Sequence, residues 1–182
     1  MRDLLKLGFK LFLIAAVAGL ALGVTNAVTA GPIAEQQIAE ANAARLKVLP
    51  EAVNFEEIDA ADGLDEVYMG YDAAGTLLGA TGKITVNGFG GPVEVTVGLG
   101  LDGVITGVNV GGSNFKETAG LGAKAKEPWF GEQYIGLSSP VALKKNGGQV
   151  DAITSATITS NAVTQGVETV VSSINTFLKG VQ

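Results

Sequence analysis

A stretch without any charged residue, from Leu11 to Ala34, constrains the fold of this chain more than any other feature. As a helix rising about 1.5 Å per residue, it is long enough to cross the roughly 30 Å hydrocarbon core of a bilayer. The charges ahead of it are mainly positive (Arg2, Lys6 and Lys10), which predicts a cytoplasmic N-terminus. We therefore predict one membrane span, with the rest of the chain on the opposite side of the membrane.

Two alternatives to a retained anchor are a cleaved signal peptide and a helix in a soluble core. The small residues at 28–30 ("VTA") resemble a signal-peptidase site, but the uncharged run is long for a signal peptide and too long for an ordinary core helix. The predicted segments are a cytoplasmic N-terminus (1–10), a transmembrane helix (11–33), an amphipathic linker helix (34–50) ended by Pro50, and an extracytoplasmic domain (51–182).

Alternating apolar and polar residues predict β-strands after Val67. The stretch "VYMGYDAAGTLLGATGKITV" predicts two strands around an Ala-Gly turn, and "PVEVTVGL" alternates without a break. Asp102-Gly103 follows, which between two alternating runs is a strong hairpin signal. In the first strand of that hairpin, Val93, Val95, Val97 and Leu99 are predicted to share one face. In the second, Val104, Thr106, Val108 and Val110 are predicted to alternate with the residues between them.

Apolar residues return to helical spacing in "SNAVTQGVETVVSSINTFLKG", which predicts a helix lying over one face of the sheet. Ser160 is predicted to cap its N-terminus. The glycine-rich segment before it is predicted to be a long loop, in which Trp129 and Phe130 are interpreted as core residues, or alternatively as a shield over a bound ring. The fold class is thus α+β: one transmembrane helix, then an antiparallel sheet covered by helices.

The absence of histidine and cysteine restricts the chemistry of the chain. It excludes Ser-His-Asp triads, thiolate nucleophiles, iron–sulfur clusters and most zinc and haem sites, so we predict no catalytic residue and no metal site. Any demanding chemistry requires a bound organic cofactor. The formal net charge of −6 argues against binding to nucleic acid.

A cluster of hydroxyl side chains, "DAITSATITSNA", stands immediately before the last predicted helix. Pattern alone favours ordinary turns and helix caps, because Ser and Thr satisfy free amides at helix starts. Without a nearby base other than Asp151, hydrolytic activation of these hydroxyls is a poor interpretation. A phosphate attached to one of them, however, would lie in the favourable field of a helix N-terminus.

Three motifs, in order, resemble those of the FMN-binding domain family. They are "GFGG" before the hairpin, "ETAGLG" at 117–122, and "DAITSATITS" at 151–160, which resembles the family's flavinylation motif. The family includes the G subunit of the Rnf electron-transport complex and the C subunit of the Na+-translocating NADH:quinone oxidoreductase. This chain departs from the family pattern with Ala119 in place of the usual Pro and Ser155 in place of a common Gly.

The resemblance implies that FMN is joined to Thr157 by a phosphoester bond, which a separate flavin transferase makes from FAD. It also implies that the "ETAGLG" loop lies against the flavin ring, where glycines let backbone amides approach closely. The cofactor-binding residues implied in this way are Thr157, Glu117, Thr118, Gly120, Leu121, Gly122, Thr154 and Ser155.

The function implied is that of an electron-carrier subunit of a membrane-bound, Rnf-type, ion-translocating ferredoxin:NAD oxidoreductase, working with other membrane and peripheral subunits and having little activity alone. The short chain fits the Rnf member of the family better than its longer quinone-reductase relative. The alternatives are that equivalent quinone-reductase subunit, a free-standing membrane-anchored flavin module with a sensory or accessory role, and an acidic anchored surface protein whose hydroxyls are only caps.

Overall fold

The computed structural model describes residues 2–59 and 63–181; the predicted segments also include residues 1, 60–62 and 182, which lie outside the described part. The chain divides into two compact units, Met1–Glu40 and Ala41–Gln182. The elements are helix α1 (Arg2–Val48), strands β1 (Asn54–Ile58), β2 (Glu66–Tyr71), β3 (Leu77–Asn87), β4 (Pro92–Gly100) and β5 (Ile105–Gly111), a 3₁₀ helix (Gly122–Lys126), helix α2 (Pro128–Glu132), a 3₁₀ turn (Lys144–Asn146) and helix α3 (Thr157–Val181).

The first unit is the apolar part of α1. One continuous helix, with Pro32 inside it, covers both the predicted membrane span and the predicted linker helix. Its hydroxyls are satisfied within the helix, because Thr25 and Thr29 each donate to the carbonyl four residues earlier at 2.9 Å. Its side chains are exposed as far as Glu40, and among the described residues α1 is the helix long and apolar enough to cross a membrane.

The second unit contains a five-stranded antiparallel sheet in the order β1-β2-β3-β4-β5. The predicted strands around the Ala-Gly turn are confirmed as β2 and β3, and the predicted hairpin is confirmed as β4 and β5. Strand β1 was not predicted, because the second of the two glutamates in its sequence "NFEEI" stands where alternation would require an apolar residue. It lies at the edge of the sheet, where such a pattern is tolerated.

The predicted shared face is confirmed in β4, but the alternation predicted for β5 is wrong in its first half. Leu99 pairs with Ile105 and Gly98 pairs with Gly107, so Thr106 is an extra residue in the ladder. This β-bulge reverses the facing of the residues before it. Ile105 is buried with Val108 and Val110, whereas Val104 and Thr106 are only half-buried.

Helix α3 covers the inner face of the sheet, as its apolar stripe predicts. The apolar side chains that the helix buries completely are Val163, Val167, Val170, Val171 and Ile174. Glycines bring the two layers close: a Cβ on Gly82 of β3 would lie 2.7 Å from Val170, and one on Gly166 of α3 would lie 2.9 Å from Val86. Burying these side chains is the main apolar contribution to the stability of this unit.

The end of α1 packs on the opposite face of the sheet. Val48 is fully buried, and its carbonyl oxygen accepts a hydrogen bond of 2.6 Å from the Thr106 hydroxyl. Its backbone lies against Gly98 and Gly107, which face each other on β4 and β5; a Cβ on Gly107 would stand 2.8 Å from the Val48 Cα. The paired glycines therefore provide the space in which this backbone crosses the sheet.

An ionic cluster joins the last turns of α1 to the same face. Glu66 pairs with Arg45 at 2.8 Å and also with Lys83, and the Arg45 guanidinium lies 3.7 Å from the centroid of the Tyr68 ring. Partial burial raises the pKa of the Glu66 carboxyl, but the hydrogen bonds and charges of Lys83 and Arg45 outweigh this, so its pKa is lowered overall. The charged form of Glu66 is thus stabilised by folding.

We predict that Gly107→Ala lowers the free energy of unfolding by about 1–3 kcal/mol, because the added methyl group meets main-chain atoms of Val48. Gly111→Ala is the matched control on the same strand, since its Cβ would lie 3.7 Å from the Lys126 side chain. Urea unfolding of the full chain in detergent, followed by circular dichroism, measures the difference. Equal stability of the two variants would contradict the packing described for Val48.

We also predict that Glu66→Gln lowers stability at neutral pH and flattens its acid dependence. A lowered pKa in the folded state stabilises the protein fully above the unfolded value of about 4.3, and this stabilisation is lost as pH falls through the folded value. Urea midpoints between about pH 6 and pH 3 should therefore fall more steeply for the wild type than for the variant. Parallel curves would show that Glu66 does not contribute to acid unfolding.

Candidate functional site

The hydroxyl cluster forms a tight turn leading into α3. The Ala156 amide donates to the Ile153 carbonyl at 3.0 Å, and within this turn Ser155 has a φ of +63°. The side chains of Thr154 and Ser155 are exposed, as is Thr157, the first residue of α3. Ser155 stands where the family pattern often has Gly, and its positive φ explains why Gly is favourable there.

The predicted cap at Ser160 is wrong, because α3 begins three residues earlier, at Thr157. Ser160 is instead fully buried in the first turns of the helix. Its hydroxyl accepts from the Ile153 amide and donates to the Ala156 carbonyl, both at 2.9 Å. It thus closes the same turn from the other side and fixes that turn to the helix.

A chain of buried hydroxyls continues from Ser160 into the core. The Thr164 hydroxyl donates to the Ser160 carbonyl and is 2.8 Å from the Tyr134 hydroxyl. Burial raises the pKa of Tyr134 well above its ordinary value, and the hydrogen bond to Thr164 offsets this only in part. Tyr134 therefore remains neutral at physiological pH and acts as a fixed hydrogen-bonding partner behind the turn.

Asp151, at the start of the motif, is held by its backbone. Its amide donates to the Gln133 side-chain oxygen at 2.8 Å, and the Gln133 side-chain nitrogen donates back to the Asp151 carbonyl at 3.3 Å. The Asp151 carboxylate pairs with Lys144 at 2.7 Å. The beginning of the motif is therefore anchored to the segment that follows α2.

The "ETAGLG" segment is a compact loop leading into the first 3₁₀ helix. The Thr118 carbonyl accepts from the amides of Leu121 and Ala123, both at 3.1 Å, and Gly120 has a φ of +76°. Gly122 is required for space rather than for a positive φ: a Cβ there would lie 2.8 Å from the Thr159 hydroxyl and would also meet the Glu117 carboxylate. The two glycines thus serve different purposes.

The Glu117 side chain connects all three motifs. One carboxylate oxygen accepts from the Gly90 amide in the "GFGG" turn, and the other accepts from the Thr159 hydroxyl in the first turn of α3, each at 3.0 Å. Thr159 is fully buried, whereas Thr157 is exposed. The structure therefore brings the three motifs together, and we refer to Glu117 with its two donors, Gly90 and Thr159, as the carboxylate clamp.

Three large apolar side chains adjacent to the carboxylate clamp are exposed: Phe89 (71%), Ile158 (56%) and Leu121 (40%). Phe89 precedes Gly90, and Ile158 lies between Thr157 and Thr159. Leu121 is among the predicted cofactor-binding residues, whereas Phe89 and Ile158 are not. Both are apolar residues inside polar or glycine-rich motifs, and this contrast is the signal that the sequence offers for them. Large apolar side chains that remain exposed next to such a cluster are typical of a binding site.

The two aromatic residues of α2 differ in their environment. Phe130 is fully buried and packs edge-to-face against Tyr134, which confirms the interpretation of Phe130 as a core residue. The same interpretation is wrong for Trp129, which is 40% exposed and donates from Nε1 to the Glu127 carboxylate at 2.7 Å. Consecutive residues on a helix point about 100° apart, so the two rings of α2 face different surroundings.

Comparison with known proteins finds a matching family and close relatives. The FMN-binding domain matches residues 88–172, which contain all three motifs. The chain is 42% identical over 184 residues to the G subunit of the Na+-translocating ferredoxin:NAD+ oxidoreductase complex of Acetobacterium woodii, across 89% of this chain and 87% of the relative. It is 33% identical to the G subunit of the ion-translocating oxidoreductase complex of Methanosarcina acetivorans, across 93% and 94% of the two chains.

Among solved structures, NqrC of Shewanella oneidensis resembles this chain with a TM-score of 0.51, over 72% of this chain and 73% of that one. Its sequence identity is 19%, so the likeness concerns the fold. It supports the predicted α+β class, in which an antiparallel sheet is covered by helices.

We predict that Ser155→Gly keeps or raises the stability of the domain, by up to about 1 kcal/mol, because Gly adopts the left-handed region without steric cost. Ser155→Val should instead lower stability by about 2 kcal/mol, since a β-branched side chain is strained at a positive φ. Thermal unfolding of the two variants beside the wild type tests both values. A stabilising effect of Val would contradict the conformation described.

Proposed function

We propose that this chain is a covalent flavin carrier with FMN on Thr157. The chain belongs to the family of G subunits of ion-translocating oxidoreductase complexes and carries an FMN-binding domain. The observation that carries the proposal is the convergence of the three motifs on Glu117, beside an exposed threonine that begins a long helix. Such a carrier would pass electrons within a ferredoxin:NAD+ oxidoreductase complex.

The position of Thr157 suits a phosphate ester. The first amides of a helix have no partner inside it, and the residue before α3 is Ala156, whose side chain has no oxygen to cap them. A phosphate on the Thr157 hydroxyl would therefore find both free donors and the positive end of the helix dipole. This favours Thr157 over Thr154, which lies in the turn before the helix.

Attachment requires a transferase and FAD. In the proposed step the Thr157 oxygen forms a new P–O ester bond to the phosphorus of the FMN half. The anhydride bond to AMP breaks, AMP leaves, and the hydroxyl proton is taken up by the transferase or by water. No oxidation or reduction occurs in this step. The chain has no histidine to act as a base for it, so the separate flavin transferase supplies that group.

The surface around Thr157 fits a planar, partly apolar ring. The exposed side chains of Phe89, Leu121 and Ile158 supply apolar contact, and the "ETAGLG" loop supplies backbone close to it through Thr118, Gly120 and Gly122. Thr154 and Ser155 lie exposed beside the attachment point. FMN supplies one-electron and two-electron chemistry when bound, and the protein contributes binding, orientation and exclusion of water.

Other subunits would carry out the remaining steps of electron transfer. Without cysteine or histidine, this chain is poorly suited to hold iron–sulfur clusters, so ferredoxin oxidation and NAD+ reduction belong to partners in the complex. The positive charges among the first ten residues favour a cytoplasmic N-terminus, with residues 41–182 across the membrane. A covalent bond would prevent loss of FMN on that side.

The strongest test is the intact mass of the chain isolated from cells that contain the transferase. We expect the wild type to carry the mass of one FMN less one water, and Thr157→Ala to carry none. Thr157→Ser should remain modified, because its hydroxyl is retained.

Thr154→Ala is the matched control and should also remain modified, since Thr154 is an exposed hydroxyl just outside the helix. Added mass on Thr157→Ala would place the flavin on another residue. An unmodified wild type would leave the hydroxyls as turn and helix residues only.

A further inference from the structure

We infer that Glu117 is a positioning residue, whose carboxylate orients the attachment threonine and the glycine-rich loop instead of contacting the flavin. The inference rests on the proposed function and changes the role first expected for Glu117. Both carboxylate oxygens already accept hydrogen bonds from the protein, one from Gly90 and one from Thr159. A carboxylate is the side chain that accepts from two different donors without offering a donor itself.

The surroundings of Glu117 are built for its carboxylate. A Cβ on Gly88 would meet one carboxylate oxygen, and a Cβ on Gly122 would meet the other. A Cβ on Gly90 would meet the Lys116 carbonyl, so this glycine also permits the close approach of the two segments. Glycines at these three positions therefore leave a space that the Glu117 head group fills.

The bond to Thr159 holds the first turn of α3 in the rotation that the packing of the helix on the sheet allows. With 3.6 residues per turn, two positions along an α-helix rotate the side chain by about 200° around the axis, which places it on nearly the opposite face. Holding the Thr159 hydroxyl toward Glu117, inside the protein, therefore turns Thr157 outward, where its side chain is exposed. The clamp thus presents the Thr157 hydroxyl to a transferase.

The bond to Gly90 fixes the "GFGG" turn. The "GFGG" turn is closed by the Gly88 amide, which donates to the Gly91 carbonyl at 2.9 Å, and Gly90 within it is held by Glu117. With this turn fixed, Phe89 projects into solvent. One carboxylate therefore fixes two segments, which lie 27 and 42 residues from it in the sequence.

Glutamine is the informative substitution, because it has the same shape without the charge. In Glu117→Gln the amide oxygen can accept from Gly90 while the amide nitrogen donates to the Thr159 oxygen, so the clamp is weakened but kept. Glu117→Ala removes both bonds. A direct charge effect of Glu117 on the flavin would instead be lost equally in both variants, which separates positioning from contact.

The experiment uses the full chain in detergent, purified without FMN from cells that lack the transferase. Hydrogen exchange of the 88–91 and 157–160 segments is measured first. Transfer of FMN from FAD by purified transferase is then followed by intact mass. We expect Glu117→Ala to raise exchange and to slow transfer by about thirtyfold or more, and Glu117→Gln to change both by about fivefold, since charge-assisted hydrogen bonds are about twice as strong as neutral ones.

Thr159→Val should release only the α3 side of the clamp, and Thr159→Ser should restore it. Glu51→Ala, which removes an exposed glutamate before β1, is the control and should match the wild type. Wild-type exchange and transfer in Glu117→Ala would overturn the inference. So would equal defects in transfer for the Gln and Ala variants with unchanged exchange, which would indicate that Glu117 contacts the flavin. If the wild type accepts no FMN, the proposed function fails, and the exchange data still decide whether the clamp exists.

Discussion

The packing of α3 on the sheet is the interaction on which the rest of the domain depends. Five fully buried aliphatic side chains and two glycines at the contact hold the helix close to β3 and β4. A helix seated so closely has one favourable depth and rotation, because protein interiors are packed without spare volume. The position of its first turn, and with it the hydroxyl of Thr157, follows from contacts made along the whole length of the helix.

The site shows how a domain without histidine or cysteine can prepare a place for a redox cofactor. The site is held by backbone groups, hydroxyls and one carboxylate. Ser160 closes the turn, Thr118 closes the glycine loop with its carbonyl, and Glu117 links the loops to α3. None of these groups needs to titrate or to bind a metal. They instead fix a surface that can bind a ready-made organic ring, and the ring supplies the electron chemistry.

Sequence analysis found the elements with a clear repeat and missed those that depend on contacts between distant segments. The alternation at 93–99 and the helical spacing after Ser160 predicted β4 and α3, because one face of each is buried. The bulge at Thr106 could not be predicted from the sequence, because it is defined by the pairing of β5 with β4. The motifs located the candidate site, but the bonds of Glu117 could not be inferred, because spacing in the sequence does not tell which donors meet a carboxylate.

The long sequence separations across the carboxylate clamp have a consequence for how the domain matures. Contacts that close loops of 27 and 42 residues carry a large entropic cost and are made when much of the chain is already ordered. We therefore expect the sheet and α3 to form before the three motifs meet. A nascent or misfolded chain has the "DAITSATITS" sequence but not the surface around it. If FMN is joined to Thr157 as proposed, its attachment would itself report that folding is complete.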